Sequence, residues 1–243
     1  MALAVLTRDP ADAQTYATHL APLGLEIVAM PVTRTVAPAD PTALARALAT
    51  GPFAAILVAS PRAAHELARA TTEPLANIWA VGPATRRALE ILKLAAHHPA
   101  GVRDAAELAR ALVTSQPPAG TRVLVPRAEE GRMEALEILA AAGAEVVSVI
   151  AYRTVAVPAD DPAIARGLAV LRAGDAAVCA VFAPSQVTAL AAIVGPLASV
   201  ATRFCAIGET TAAALRDAGV LEVAVAPTPT PEGMARALRS QRA

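Results

Sequence analysis

The chain repeats itself, and the repeat is staggered. Arg8, Gly24, Glu26, Val28, Arg34 and Thr35 recur as Arg127, Gly143, Glu145, Val147, Arg153 and Thr154, each pair 119 positions apart. Gly82, Thr85, Ala88 and Leu89 recur as Gly208, Thr211, Ala214 and Leu215 at a separation of 126, and LARAL (108–112) returns as MARAL (234–238) at the same offset. The order is therefore first block, second block, first block, second block. Each first block closes on nearly the same phrase, PVTRTVAPAD (31–40) and AYRTVAVPAD (151–160), and only the second copy carries a tyrosine. Both phrases are β-branched and run into proline, which favours extended backbone. They predict two passages of the chain between two lobes, pairing as a two-stranded antiparallel linker (31–37 and 151–158). Lobe one would combine 1–33 with 158–243, and lobe two would span 37–150.

Within each block, short apolar runs alternate with amphipathic stretches. LAVLT is followed by Asp9 as a helix cap and Pro10 at the first helical position, and that helix is expected to run to Gly24. LEIVAM, AAILVAS, NIWAVG, RVLVP, AEVVSVI, AVCAVFA, RFCAIG and EVAVA read as further strands, most of them handing over to a helix. Strands apolar on both faces, alternating with helices, predict an α/β fold: two similar lobes of parallel sheet flanked by helices, internally duplicated.

Composition narrows the function. Net charge is zero, with no run of one sign, which argues against nucleic acid or a membrane surface as the partner. Apolar residues make up 55% of the chain, yet no run approaches the roughly 20 residues that span a bilayer. Arg8 and Asp9 come too early for a secretory signal, so a cytoplasmic protein is expected. Cys179 and Cys205 lie inside apolar runs and read as buried thiols. There are twenty arginines and one lysine, Lys93. Coding bias explains that ratio; guanidinium forks also suit carboxylate ligands.

Ligands of open α/β sheets bind beyond the carboxyl ends of the strands. There the sequence sets Ser60 and Arg62 (VASPRA), Gly82 (VGPAT), Ser185 (FAPSQV), and Gly208, Thr210 and Thr211 (IGETT). Arg8, Arg127 and Arg132 fall at comparable ends. Each hydroxyl or glycine alone reads as an ordinary helix cap. Together, and recurring in both lobes, they predict a cleft that accepts anions, particularly carboxylates. Tyr152 replaces Thr33 of the first copy and reads equally as a packing residue or a functional one. No dinucleotide fingerprint, phosphate loop, nucleophile elbow or metal-ligand spacing is present, so neither cofactor nor metal is expected.

The ordered set VLTR, SPRA, AVGPAT, VLVPRAEEGR, AYRTV, FAPSQV, AIGETTAAAL and PTPEGMARAL resembles the uroporphyrinogen-III synthase family along the whole chain. That resemblance implies two α/β lobes joined by a two-stranded ladder. It implies a linear tetrapyrrole substrate, hydroxymethylbilane, bearing carboxylates, and cyclisation with loss of water and inversion of ring D. No cofactor or metal is implied. Tyr152 would be the catalytic residue. Ser60, Arg62, Gly82, Ser185, Gly208, Thr210 and Thr211 would line the site, and Arg8, Arg127 and Arg132 would meet the carboxylates. Glu209 stands where proline is common in the family. Transient contact with hydroxymethylbilane synthase is the one protein partner implied, and a monomer is the default. The alternatives are a non-catalytic two-lobed binding protein for an acidic small molecule, or a degenerate member retained as an interaction partner.

Overall fold

The computed structural model describes residues 1–240 and divides into two compact units. Unit 1 joins Met1–Arg34 to Val155–Ala243, and unit 2 is the continuous stretch Thr35–Thr154.

Unit 1 holds a five-stranded sheet in the order β11-β10-β9-β1-β2. Its strands are β1 (Ala2–Leu6), β2 (Leu25–Ala29), β9 (Ala176–Val181), β10 (Arg203–Ala206) and β11 (Val223–Val225), and every adjacent pair is parallel. One face packs on α8 (Ala165–Ala173), α9 (Pro184–Val194) and α10 (Glu209–Asp217) through Leu168, Leu171, Leu190 and Leu215. The other packs on α1 (Pro10–Gln14), α2 (Ala17–Leu20) and α11 (Pro231–Ser240) through Ala13, Leu20, Met234 and Leu238. Each fully buried leucine contributes about 1.5–3 kcal/mol. The single helix expected from Pro10 to Gly24 is broken. The Thr15 hydroxyl bonds back to the Asp12 carbonyl, ending α1, and a short 3-10 turn (Ala21–Leu23) reaches Gly24 at φ 68°. Cys179 and Cys205 face opposite sides of the sheet, in different core layers, so they cannot pair with each other. Burial pushes both thiols up to about 12.

Unit 2 is built on the same plan. Its sheet runs β3-β8-β7-β4-β5-β6, with β3 (Thr33–Val36), β4 (Ala55–Val58), β5 (Ile78–Ala80), β6 (Ala96–His97), β7 (Arg122–Ala128) and β8 (Glu145–Ala156). From β8 to β6 every pairing is parallel. Helices α3 (Ala43–Ala49), α4 (Pro61–Ala70) and α5 (Gly82–Ile91) cover one face through Leu44, Leu67 and Leu89. Helices α6 (Ala105–Ser115) and α7 (Glu134–Ala141) cover the other through Leu108, Leu112 and Leu139. Reading β8-β7-β4-β5-β6 beside β2-β1-β9-β10-β11 shows one spatial strand order with the chain circularly permuted: unit 1 begins with β1 and β2, whereas unit 2 reaches the corresponding β7 and β8 last. The segment AYRTV, expected as a linker separate from the strand AEVVSVI, continues that strand: β8 is unbroken over twelve residues. Among the described residues no helix is long and apolar enough to cross a membrane.

Candidate active site

Strand order reverses once in each sheet, and there the connections leave in opposite directions and open a crevice at the carboxyl ends. In unit 2 the reversal lies between β4 and β7; in unit 1 it lies between β1 and β9.

At the unit 2 reversal, β4 hands over to α4 at Ser60. The Ser60 backbone is extended and its Oγ accepts the Ala63 amide at 3.0 Å, an N-cap with Pro61 at the first helical position. The same Oγ lies 2.9 Å from the phenol oxygen of Tyr152. A strand irregularity brings them together. Val147, Val149 and Ala151 face the core of α3–α5, and Val146 faces the opposite core. Strict alternation would send Tyr152 to the side of Val146. The register slips instead, Arg127 standing opposite Ile150 but Ala128 opposite Tyr152. The extra residue turns the tyrosine back onto the α4 side, where it is half-buried against that core.

The turn after β7 clamps the same stretch of β8. The Glu129 amide donates to the Tyr152 carbonyl at 3.0 Å, and Arg153 pairs with the Glu129 carboxylate at 2.8 Å. Arg127 holds the turn from within: its Nη1 donates to the carbonyls of Ala128 (2.8 Å) and Glu129 (2.9 Å), and its Nε donates to Ser148 Oγ (3.0 Å). Arg127 is therefore largely committed to its own unit. Arg132 is exposed and makes no bond to any described residue. Arg62 is paired with Glu66 at 2.8 Å, while its Nε is buried without a partner. Gly82 opens α5 at φ +66°, with no neighbour within 4 Å of the position a Cβ would take, so backbone conformation rather than crowding favours glycine there.

At the unit 1 reversal, Arg8 follows β1. Its guanidinium lies over the Phe182 ring at 4.5 Å, pairs with Asp12 at 2.8 Å, and leaves Nε buried without a partner. The Thr7 hydroxyl lies 2.7 Å from Gln186 Oε1, which also accepts the Phe182 amide at 3.0 Å. This fixes the start of α9 against β1. The N-caps of α9 and α10 are Ala183 and Gly208, neither of which makes a side-chain cap bond. Ser185, Thr210 and Thr211 follow those caps inside the helices and make no side-chain hydrogen bond to a described residue. At α10 the first amides are left as unpaired donors at the positive end of a helix dipole; at α9 Pro184 has no N–H and the Gln186 amide bonds the Ala183 carbonyl at 3.0 Å, so Ser185 alone offers one. Glu209 is turned along α10 onto Arg216 at 2.5 Å, which neutralises its charge.

Thr7, Gln186 and Phe182 in unit 1, and Glu129, Ser148 and Arg153 in unit 2, were not singled out from sequence. Only the EE of PRAEEGR and the Arg34–Arg153 repeat hinted at two of them. A cavity of about 680 Å³ in unit 2 lies at the amino ends of the strands beside Phe53, Ile56 and Leu75, and neither Ser60 nor Tyr152 lines it. Among the described residues no group of three or more histidine, cysteine or carboxylate side chains is placed to hold a metal ion.

Fold and site together define a class: a protein of two like-wound parallel α/β units whose reversal points carry hydroxyls, arginines and open helix starts, with a tyrosine steered into one of them. A family model for uroporphyrinogen-III synthase HemD matches residues 14–236, and the chain belongs to that family. Its activity is the family's, the cyclising lyase step that makes uroporphyrinogen III in haem biosynthesis. No curated protein matches the chain at a significant level. Among solved structures, the chain is similar to a mutant uroporphyrinogen III synthase of the extreme thermophile Thermus thermophilus, at 23% identity over 99% of this chain and 100% of that one, with a TM-score of 0.62. It is also similar to uroporphyrinogen-III synthetase of Helicobacter pylori, at 17% identity over the whole of both chains, with a TM-score of 0.67. At these identities the solved structures speak for the fold alone; the family model speaks for the family.

Proposed function

We propose that the unit 2 reversal point carries the chemistry, with Tyr152 as the proton donor to the departing hydroxyl of hydroxymethylbilane. The observation that carries this reading is the pairing of a steered phenol with a capped serine, 2.9 Å apart, at the carboxyl end of β4. The pyrrole nitrogen of ring A expels the hydroxyl, and the phenol proton lets it leave as water. Ring D attacks the resulting cation through its substituted α-carbon, a spiro intermediate forms and fragments, and the ring rejoins through its free α-carbon. That carbon loses its proton. The balance is one water: the hydroxyl from the carbinol carbon and one proton from ring D. Because the free bilane cyclises unaided to the symmetrical isomer, the protein's larger task is to hold the chain in the conformation that inverts ring D.

The substrate's acetate and propionate groups require donors that are not already satisfied. In unit 2, Arg132 and the start of α5 at Gly82 meet that need; in unit 1, Ser185 at the start of α9 and the first turn of α10, with Gly208 and Thr210, do so. Thr211 is buried, as are the unpartnered Nε atoms of Arg8 and Arg62, so these are not surface contacts. Arg127 contributes by holding the turn beside Tyr152. A cytoplasmic monomer completes the reading, supplied with its short-lived substrate by transient contact with hydroxymethylbilane synthase. Among the described residues the exposed large apolar side chains, Met1, Ile91, Met133 and Leu221, are scattered, which supports the monomer.

The test is product-isomer analysis with freshly generated hydroxymethylbilane. The chain should give type III as the main isomer, and Tyr152→Phe should lower kcat by roughly 100-fold, the lower end of what a positioned acid supplies. Unchanged kcat in the folded variant would remove Tyr152 from the mechanism.

A further inference from the structure

We infer that Ser60 is a positioning residue for Tyr152 rather than a substrate contact: it donates its own proton to the phenol oxygen and thereby leaves the phenolic proton free for the substrate. The inference rests on the reading of Tyr152 given above.

Two hydroxyls 2.9 Å apart can be ordered in two ways. If Tyr152 donated to Ser60, its lone pairs would face outward and it would present an acceptor. If Ser60 donates to Tyr152, the phenol presents a proton. The geometry allows either donor, and the hydrogen-bond accounting around Ser60 favours the second. Its Oγ already accepts the Ala63 amide at 3.0 Å, and its carbonyl accepts the Ala64 amide at 3.1 Å. Among the described residues, the phenol oxygen of Tyr152 is the only acceptor within reach of the serine proton. The phenol, in turn, has no other protein partner among the described residues.

Polarity points the same way. Ala63 lies in the first turn of α4, a ten-residue helix, where the dipole is positive. An amide donated to a hydroxyl oxygen withdraws electron density, making that hydroxyl a better donor and a poorer acceptor. The chain of donation therefore runs from the Ala63 amide to Ser60, from Ser60 to Tyr152, and from Tyr152 outward. When the phenol gives its proton to the leaving hydroxyl, the oxygen left behind carries charge and is met by a hydrogen bond already aimed at it, backed by the start of a helix. No heavy atom must move. Sequence alone offers Ser60 only as a cap or a ligand contact. The bulge that turns Tyr152 toward it creates this third role.

The cap role and the orienting role are separable. Glycine at an N-cap costs only a few tenths of a kcal/mol relative to serine, so Ser60→Gly keeps α4 while removing the hydroxyl. Ser60→Thr restores a hydroxyl while capping about as well as the glycine, so that the two variants differ mainly in the hydroxyl. Both are made in the full chain, alone and with Tyr152→Phe, and kcat and KM are measured separately on fresh hydroxymethylbilane. Folding of unit 2 is followed by the fluorescence of Trp79, the only tryptophan, which is buried in β5. Ser60→Gly should lower kcat about tenfold, the worth of one hydrogen bond realised in the transition state, with KM within about twofold. Ser60→Thr should recover most of that loss. In the Tyr152→Phe background, Ser60→Gly should change kcat by less than about twofold, because residues acting as a unit are non-additive.

Equal losses in both backgrounds would overturn the inference, since Ser60 would then act without the phenol. A rise in KM with kcat preserved would overturn it too, by making Ser60 a substrate contact. If Tyr152→Phe itself leaves kcat unchanged, the reading of Tyr152 fails first and the role of Ser60 falls with it. Those three results are distinct.

Discussion

Replacing Arg127 by methionine separates two roles that one arginine at a strand end can have. Methionine keeps an unbranched stem against the sheet and removes the guanidinium. Three hydrogen bonds are lost, at 2.8, 2.9 and 3.0 Å, to the carbonyls of Ala128 and Glu129 and to Ser148 Oγ. A bond from a charged donor is worth about 1.5–3 kcal/mol when its acceptor is left dry, but only about 0.5–1.5 kcal/mol when the acceptor regains water. Glu129 and Ser148 are solvent-exposed, so rehydration sets the scale, and the three bonds share one donor group and do not add fully. The expected loss is about 2 kcal/mol, confined to unit 2. Urea unfolding read by Trp79 fluorescence measures that loss, because the only tryptophan lies in this unit. Turnover should fall through kcat, because the turn that Arg127 braces also bonds the Tyr152 carbonyl. Arg132→Met is the matched control: exposed and unbonded, it should leave stability within about 0.5 kcal/mol and raise KM instead. An Arg127→Met protein with wild-type stability and a raised KM would refute the reasoning. It would mean that the turn stands without its brace and that the guanidinium serves the substrate.

Three further outcomes follow from unit 1 and from α3. Cys179 and Cys205, fully buried and held up to about 12, should resist an aromatic disulfide reagent at about pH 8 until unit 1 unfolds; stoichiometric labelling of the native protein within minutes would contradict the burial. Gly167→Ala should destabilise unit 1 by about 1–3 kcal/mol, even though alanine favours a helix by about 1 kcal/mol, because its Cβ would sit 2.5 Å from Met30 Cβ. Thiol release in urea reads that change, and a stabilised variant would show that α8 can shift. Hydrogen bonds from Arg46 and Thr42 hold the exposed Asp40 carboxyl below its ordinary 3.8. Its folded-state value is depressed, so its contribution to stability is present above about pH 4 and is lost as pH falls toward the lower folded value. NMR titration should find Asp40 ionised after ordinary aspartates have protonated, and titration at the ordinary value would count against the Arg46 contact.

What the sequence reveals here depends on the range of the interaction. Strands such as AAILVAS and RVLVP are legible because burial on both faces is written in consecutive residues, and Gly24 and Pro10 mark ends by their own backbone limits. The continuity of β8 is not legible, since β-branched residues suit an edge, a linker and a central strand alike. Nor is the meeting of Ser60 with Tyr152, which are 92 residues apart and joined only because a bulge reverses one side chain. The arginines show the same limit. Arg8, Arg127 and Arg132 look equivalent at strand ends, yet one is stacked on the distant Phe182 ring, one is spent on its own turn and one has no partner among the described residues, and the fold of each turn, not its residue types, distinguishes them. Hydroxyls at helix starts divide likewise: Ser60 caps, whereas Ser185, Thr210 and Thr211 fall one or more residues past the cap.

The interrupted layout of unit 1 has a consequence for synthesis. Unit 2 is a single stretch that ends at Thr154, so all of its paired strands except the far end of β8 are available once that residue leaves the ribosome. Strands β1 and β2 emerge first of all, but β1 lies between β2 and β9, and β9 begins only at Ala176. Until then the apolar faces of Val5, Leu6 and Val28 have no β9–β11 sheet to join. The inserted unit thus matures before the one that surrounds it, and the N-terminal residues wait longest for their partners. A nascent chain that has emerged from the ribosome past Thr154 but not as far as Ala176 would carry a finished unit 2 and an uncovered β1–β2 pair, a species for a nascent-chain holdase to recognise.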